Sequence, residues 1–364
     1  MTAARFHDLP IHALRPEAAG AVAITLGVPE ALRDTFAFEP GQYLTLRMLV
    51  DGAEQRRSYS ICSSRARFAA RGEIEIGVKP VEGGRVSPWL AQASHVGGTL
   101  AVLPPQGRFT PTPGAHHRVG FAAGSGITPL LSIIESSLQG EPDSRFTLVY
   151  GNQRVDSIMF GEALQDLKDR YPTRLSLLHV LSRQAGDVPL LHGRLDQERV
   201  STLLRTLLSP DRIDEAFVCG PGGMIEAVER ALSAAGVPAA RVHSERFLAD
   251  GATLPAARPA RIDLSRAAPS AAAGAMQVVL HGKTHSFAID AHERVLDVAL
   301  QGGLDLPWSC KAGVCCTCRA RVLEGEVAME RNFTLEPDEI ARGFVLTCQA
   351  RPLTPHLVVS YDER

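Results

Sequence analysis

The chain has no run approaching the roughly 20 apolar residues that a membrane helix needs, and its first residues, MTAARFHDLPIHAL, lack the apolar stretch of a signal peptide. Charge of one sign is scarce as well. Lys and Arg number 38 against 40 Asp and Glu, a formal net charge of -2. This balance argues against nucleic acid or an anionic membrane as partner, because counterion release needs a basic face. Cysteine is sparse, seven in 364 residues. What is present is ordinary for a soluble globular protein: 45% hydrophobic and 21% charged residues. The length is too great for one core and predicts two or three domains. A cytoplasmic setting follows, where thiols stay reduced and clustered cysteines more often hold a metal than form disulfides.

Three segments separate. Residues 1–112 carry short β-rich runs such as QYLTLRMLV and GEIEIGVKPV between Gly and Pro, the pattern of an antiparallel barrel or sandwich. Residues 113–250 alternate apolar runs (HRVGFAAG, FTLVYGN, LSLLHVLS) with helical stretches (PLLSIIESSL, FGEALQDLKDRY), the pattern of a parallel sheet with covering helices. Residues 251–275 are rich in Ala and Pro without periodicity and predict a tether. Residues 276–364 begin with a hairpin, MQVVLHGKTHSFAID, and an amphipathic helix, ERVLDVALQGG.

Four of the seven cysteines fall within CKAGVCCTC. Cys310, Cys315 and Cys318 have C-x4-C-x2-C spacing, and Cys348 in VLTCQA offers a distant fourth thiolate, the plant-type [2Fe-2S] arrangement. Gly313 allows the loop to turn closely around a small anionic cluster. A four-cysteine zinc site is the competing reading, although zinc modules usually show two short knuckles and only one pair is close here. Cys316 is left over as a bystander whose weak S–H donor faces the cluster. This last segment closely resembles the plant-type ferredoxins, which implies a β-grasp fold.

An attached ferredoxin needs an electron supply, and the first segment carries candidates for a flavin site. A flavin requires a flat face, a hydrogen-bond partner near N5 and donors for its pyrophosphate. Tyr59, Ser60 and Arg57 of RSYS match these in order, with Ser60 on the opposite face of the strand from Arg57 and Tyr59. Gly84 and Ser87 of GGRVS precede SPWLAQ, a plausible helix whose N-terminus favours phosphate. In the second segment AAGSGITP leaves a strand and opens a helix, so Gly124 and Gly126 admit a dinucleotide while Thr128 offers a hydroxyl. FVCGPGGM repeats the device with Cys219 at a later strand end. Taken singly, each of these motifs is also an ordinary strand or turn.

In order, the motifs R-x-Y-S, GVKP with GxxS, GSGITP, CGPGGM and HSERF closely resemble the ferredoxin-NADP reductase family over residues 1 to about 250. The resemblance implies a six-stranded FAD barrel followed by a nicotinamide-nucleotide domain. Tyr59 would flank the isoalloxazine, Ser60 would sit by N5, and Arg57 and Ser87 would hold the pyrophosphate. Thr128 and Cys219 would meet the nicotinamide. Ser58, Val78, Lys79, Gly84, Val86, Gly124, Gly126, Gly220, Pro221, Gly222 and Met224 complete the implied cofactor-binding set. The family often closes its flavin with a C-terminal aromatic; here the tether follows, and Phe247 is the substitute. Ser60, Cys219 and Glu245 are the candidate catalytic residues, although Cys219 and Glu245 are equally readable as plain strand-end residues. Ser182 and Arg183 of LSRQ resemble the pair with which NADP-preferring members hold the 2′-phosphate.

The expected fold is therefore multidomain: an antiparallel β-barrel flavin domain, an α/β parallel-sheet nucleotide domain and a β-grasp [2Fe-2S] ferredoxin domain. That order resembles the reductase components of bacterial oxygenases, with FAD, a [2Fe-2S] cluster and NADPH as cofactors and a di-iron oxygenase as electron acceptor. Competing readings are a self-contained ferredoxin reductase or oxidase, a flavin-nucleotide enzyme with a zinc knuckle, and a non-enzymatic cluster-binding sensor or scaffold. Elsewhere, His116 and His117 read as a solvated loop, Cys62 as a small buried hydrophobe, and the acidic bias of LEGEVAMERNFTLEPDE as solvated surface or a docking face.

Overall fold

The β-rich runs of the first segment form one antiparallel sheet. In the computed structural model, which describes residues 5–186, 188–247 and 274–363, its strands are β1 (His7–Pro16), β2 (Val22–Gly27), β3 (Tyr43–Val50), β4 (Ala53–Ser60), β5 (Glu73–Val78) and β6 (Thr99–Val102). Their order is β4-β3-β6-β1-β2-β5, and a bridge from Ile61, just beyond β4, to Ile76 on β5 brings the two edges together. β2 is buried along nearly its whole length, and the side-chain alternation explains why. Ile24 and Leu26 enter the barrel core, while Ala23 packs with helical residues of the next segment such as Ile127 and Leu130. Two helices interrupt the strands: α1 (Arg65–Arg71) and α2 (Val86–Ala93). The first was not anticipated. It has seven residues, and its signal is its caps: the Ser64 hydroxyl accepts from the Arg67 N–H, and Gly72 follows in a left-handed conformation.

The second segment gives β7 (His117–Ala123), β8 (Arg145–Asn152), β9 (Leu175–Leu181), β10 (Glu215–Gly220) and β11 (Val242–Arg246), all parallel, in the order β11-β10-β7-β8-β9. Helices α3 (Ile127–Gly140) and α4 (Gly161–Arg170) cover one face, and α5 (Gln197–Leu203) and α6 (Gly222–Ala234) the other. Alternate residues of one strand serve the two layers: Phe217 and Cys219 pack on the α3 side, Ala216 and Val218 on the α6 side. Barrel and sheet belong to one compact unit. Arg118, fully buried, ties the segment between β6 and β7 to the sheet. It donates to Glu215 at 3.1 Å, to Glu141 at 2.6 Å and to the carbonyl of Thr112 at 2.6 Å, and the Thr112 N–H returns a bond to Glu215. Burial pushes the Glu215 pKa up, but hydrogen bonds from His243, Thr112 and Arg118 outweigh it and bring the pKa down to about 2, so the carboxylate stays ionised. His117 lies in β7 rather than in a solvated loop: its ring bonds Thr147 and its N–H donates to Asp214.

The C-terminal segment is a second unit. Residues 251–273 of the expected tether lie outside the described residues, and the first strand starts at Gly274. Its strands are β12 (Gly274–Leu280), β13 (Lys283–Ile289), β14 (Arg319–Glu324), β15 (Val327–Met329), β16 (Phe344–Leu346), β17 (Ala350–Pro352) and β18 (His356–Ser360). The main sheet has the order β13-β12-β18-β14-β16, with β12 and β18 parallel and the other pairs antiparallel. Helix α7 (Val295–Gln301) packs on it through Val295, Leu296, Val298 and Ala299, the expected β-grasp arrangement. The acidic stretch is not simply solvated. Glu339, in helix α8 (Pro337–Ala341), is buried, bonds Arg319 at 3.0 Å and caps its own helix by accepting from the Glu336 N–H. Glu330 bridges Arg294 and Arg351.

Candidate functional site

In the parallel sheet, chain direction reverses its lateral progress between β7 and β10: β8 and β9 follow β7 to one side, and β11 follows β10 to the other. Ligands of open α/β sheets collect at such a switch point, outside the carboxyl ends of the strands. Both glycine motifs fall there. β7 ends in the Gly124–Gly126 turn that opens α3, and β10 ends in Gly220 before α6. The two approach closely, for a Cβ on Gly126 would lie 2.1 Å from the carbonyl oxygen of Cys219. Only glycine permits that contact.

Ser60 reaches the same place from the barrel. Its hydroxyl donates to the Glu245 carboxylate at 3.1 Å, and parallel pairing sets Glu245 beside Cys219 in register. The three candidate catalytic residues, distant in sequence, thus meet at one strand end. Burial lifts the Glu245 pKa to about 7, opposed by the Ser60 bond. Burial and the neighbouring Glu245 also push the Cys219 thiol up, so it is a neutral packing group. Thr128 is buried too, its hydroxyl donating to the Ser125 carbonyl, so its visible role is to pin the turn.

On β4, Tyr59, Arg57 and Ser58 are half-buried. Val78 is buried at the end of β5. Ser87 accepts from the Val81 N–H, closing the loop that contains Gly84 ahead of α2, which begins at Val86. Lys79 is half-buried beside Gly124, and burial alone lowers its pKa, with no carboxylate countering. A half-buried ammonium there suits an anion such as a cofactor pyrophosphate. Buried His179 Nδ1, on β9 against Tyr150, finds no partner among the described residues, while the Tyr150 hydroxyl donates to the Gly124 carbonyl. Sequence reading passed over both, because a His and a Tyr within apolar strands carry no local signal. At the far edge, Ser182 bonds the Asn152 carbonyl and the Arg183 backbone bonds Gln153, leaving the Arg183 side chain exposed. From β10 to β9 is three strand spacings, roughly 14 Å, room for an extended dinucleotide. Met224 and Pro221 border the β10 end, with the Met224 methyl against Gly220 and Gly222 opening α6. Phe247 follows β11 and is 40% exposed.

In the second unit the four thiols gather as two pairs. Cys315 lies 3.2 Å from Cys310, and Cys318 hydrogen-bonds Cys348. Among the described residues no three His, Cys, Asp or Glu side chains converge on one ion position, whereas two thiolates for each of two irons need only this pairing. The N–H groups of Ala312 and Cys315 donate to the Cys310 sulfur at 3.4 Å. The bond from Cys315 and these N–H groups draw the Cys310 pKa down to about 5. Gly313 has φ +77°, and a Cβ there would meet the Arg331 carbonyl oxygen at 2.8 Å. Donor set and close-turning backbone fit a [2Fe-2S] cluster. Cys316 bonds Thr334 at 3.0 Å instead.

Residues 22–110 match the oxidoreductase FAD-binding domain, 121–230 the oxidoreductase NAD-binding domain, and 278–353 the 2Fe-2S iron-sulfur cluster binding domain. The chain is 44% identical to a component of the 1,2-phenylacetyl-CoA epoxidase of Escherichia coli K12, over 99% of its own length and 98% of the relative. The chain belongs to the ferredoxin-NADP reductase family. Within it, this reductase is also 38% identical to the ferredoxin reductase component of 3-ketosteroid-9-alpha-monooxygenase from Rhodococcus rhodochrous, over 97% and 96% of the two chains. Its fold is similar to that of phthalate dioxygenase reductase, with TM-score 0.60 at 24% identity over 98% of both chains. The reductase is an NAD(P)H-dependent oxidoreductase of the oxygenase-reductase kind, with FAD and a [2Fe-2S] cluster as its cofactors. No helix among the described residues is long and apolar enough to cross a membrane.

Proposed function

We propose that this reductase uses NADPH and supplies electrons to a di-iron oxygenase that epoxidises phenylacetyl-CoA. The observation that carries this reading is the 44% identity, sustained over the whole length, to the component of the Escherichia coli epoxidase. The FAD and the cluster, when bound, supply the conversion of a two-electron hydride into single electrons. The residues of the chain position and insulate. Ser60 and Glu245 form a hydrogen-bonded pair at the strand end where nicotinamide and flavin would meet, the hydroxyl orienting the reacting edge. The Gly126 turn lets the dinucleotide lie close to the backbone. Lys79 and the loop closed by Ser87 take the phosphates. Cys219 and Thr128, both buried, give the cleft a floor without ionised groups. Ser182 and Arg183 face the adenosine end and hold the 2′-phosphate. No side chain needs to transfer a proton, since catalysis is positioning and exclusion of O2.

A second reading, a reductase for a ketosteroid or ring hydroxylase, is favoured by the 38% identity to the Rhodococcus relative. Reconstitution separates them: the reductase, NADPH and a purified di-iron epoxidase complex should yield epoxidised phenylacetyl-CoA. Full reduction of the reductase without product, together with activity in a ketosteroid hydroxylase system, would transfer the assignment to the second reading.

A further inference from the structure

The residue after the fourth thiolate ligand is Gln349, with only 2% of its surface exposed. Of the two hydrogens on its side-chain nitrogen, one serves the carbonyl of Lys311 at 3.0 Å and the other is shared between the carbonyl of Cys348 at 2.9 Å and the Cys348 sulfur at 3.5 Å. Sulfur is large, and 3.5 Å is within hydrogen-bonding reach of its diffuse lone pairs. One amide thus joins the two ends of the ligand set, the loop just after Cys310 and the distant Cys348. Lys311 is itself unusual. It has φ +50°, a left-handed conformation that costs a non-glycine residue energy unless its surroundings hold it. The Gln349 donor grips the carbonyl of that strained residue, and the Lys311 ammonium is fixed to Asp297 at 3.0 Å.

We propose that Gln349 is a positioning residue that sets the reduction potential of the ferredoxin cluster, by donating to the Cys348 thiolate and holding the Lys311 carbonyl. This rests on the ferredoxin assignment and not on the identity of the oxygenase. Reduction adds one electron, supplied by the flavin, and no proton, so the extra negative charge spreads onto the thiolates. A donor to sulfur stabilises the reduced form more than the oxidised form and raises the potential. Without it the cluster becomes a poorer acceptor from the flavin.

The test is spectroelectrochemical titration of the FAD- and cluster-loaded full chain carrying Gln349→Met, which keeps the length and removes the N–H donors. Iron content and the flavin potential serve as controls. The expected result is full iron loading, an unchanged flavin potential, and a cluster potential lowered by about tenfold in the reduction equilibrium, ~59 mV for one electron. The slow phase of cluster reduction after mixing with NADPH should lengthen accordingly. A fully loaded variant with the wild-type cluster potential overturns the proposal. Should the Met variant lose iron, Gln349→Leu, which is smaller and equally unable to donate, is titrated instead. Loss of iron from both would make Gln349 a strut of the loop and overturn the tuning role. Failure of the ferredoxin assignment itself is separately visible, as wild-type protein without cluster absorption.

Discussion

The cluster loop and the nucleotide cleft solve the problem of holding a redox group in opposite ways. The loop keeps three of its four candidate ligands within nine residues and relies on backbone N–H groups and a left-handed Gly313 to shape a shell of thiols. The cleft assembles Ser60, Gly126, Cys219 and Glu245 from four strand ends or turns, through tertiary contacts and only weak side-chain chemistry. Each thiolate of the first site would bond directly to the group it holds. Every residue of the second is one of several that share a positioning task. Substitution should therefore fail all-or-none in the loop and by degrees in the cleft.

The largest expected effect is on the loop. Serine at Cys310, Cys315, Cys318 or Cys348 should abolish the cluster absorption and its EPR signal while leaving NADPH reduction of the flavin intact. Cys316→Ser should keep both. Iron lost from the Cys316 variant would show that the ligand set has been drawn wrongly, and the two-pair geometry with it.

Next comes the tightest point of the cleft. Gly126→Ala forces a methyl against the Cys219 carbonyl, so hydride transfer measured by stopped flow should fall about 100-fold or more, with FAD still bound. Ser60→Ala removes one hydrogen bond and no volume of consequence, so FAD should be retained and flavin reduction slowed roughly 10- to 100-fold. Equal rates for wild type and the Ser60 variant would remove that residue from the reacting edge.

Two smaller effects sharpen the contrast. Arg183→Ala should raise KM for NADPH about tenfold with kcat little changed, because a remote phosphate contact acts alike in ground and transition states. Equal use of NADPH and NADH by the wild-type protein would end the role given to Ser182 and Arg183. Glu245, raised from 4.5 to about 7 in the folded protein, binds more protons folded than unfolded between those values. Its contribution to stability is complete below the unfolded pKa and is lost as pH rises through about 7. The melting temperature of the wild type should therefore drop relative to Glu245→Gln over that window, and parallel melting curves would contradict the burial of its carboxyl.

The same contrast decided what could be read from the residues alone. The 2Fe-2S domain was legible because the spacing of its cysteines is local, and the alternation of strand and helix in residues 113–250 was legible because each element carries its own periodicity. The bond from Ser60 to Glu245 joins residues 185 apart and was not legible, although both residues were candidates. Strand order was not legible, since parallel pairing depends on long-range contacts with no local mark. Glu339 belonged to a stretch that reads as solvated surface or a docking face and is buried against Arg319, and the buried Arg118–Glu215 pair carried no sequence signal, because a charge's partner is invisible until the chain is folded. Helix α1 was missed because its seven residues are too few to establish a period.

The central claim is that electrons pass from the nucleotide through the flavin to the cluster of the same chain. Anaerobic mixing of the loaded protein with NADPH, followed by absorbance and by freeze-quench EPR, tests it most directly. The account predicts rapid flavin bleaching followed by the EPR signal of a reduced [2Fe-2S] cluster, the second phase absent in Cys348→Ser while the first persists. A flavin fully reduced beside an intact cluster that stays oxidised would contradict it.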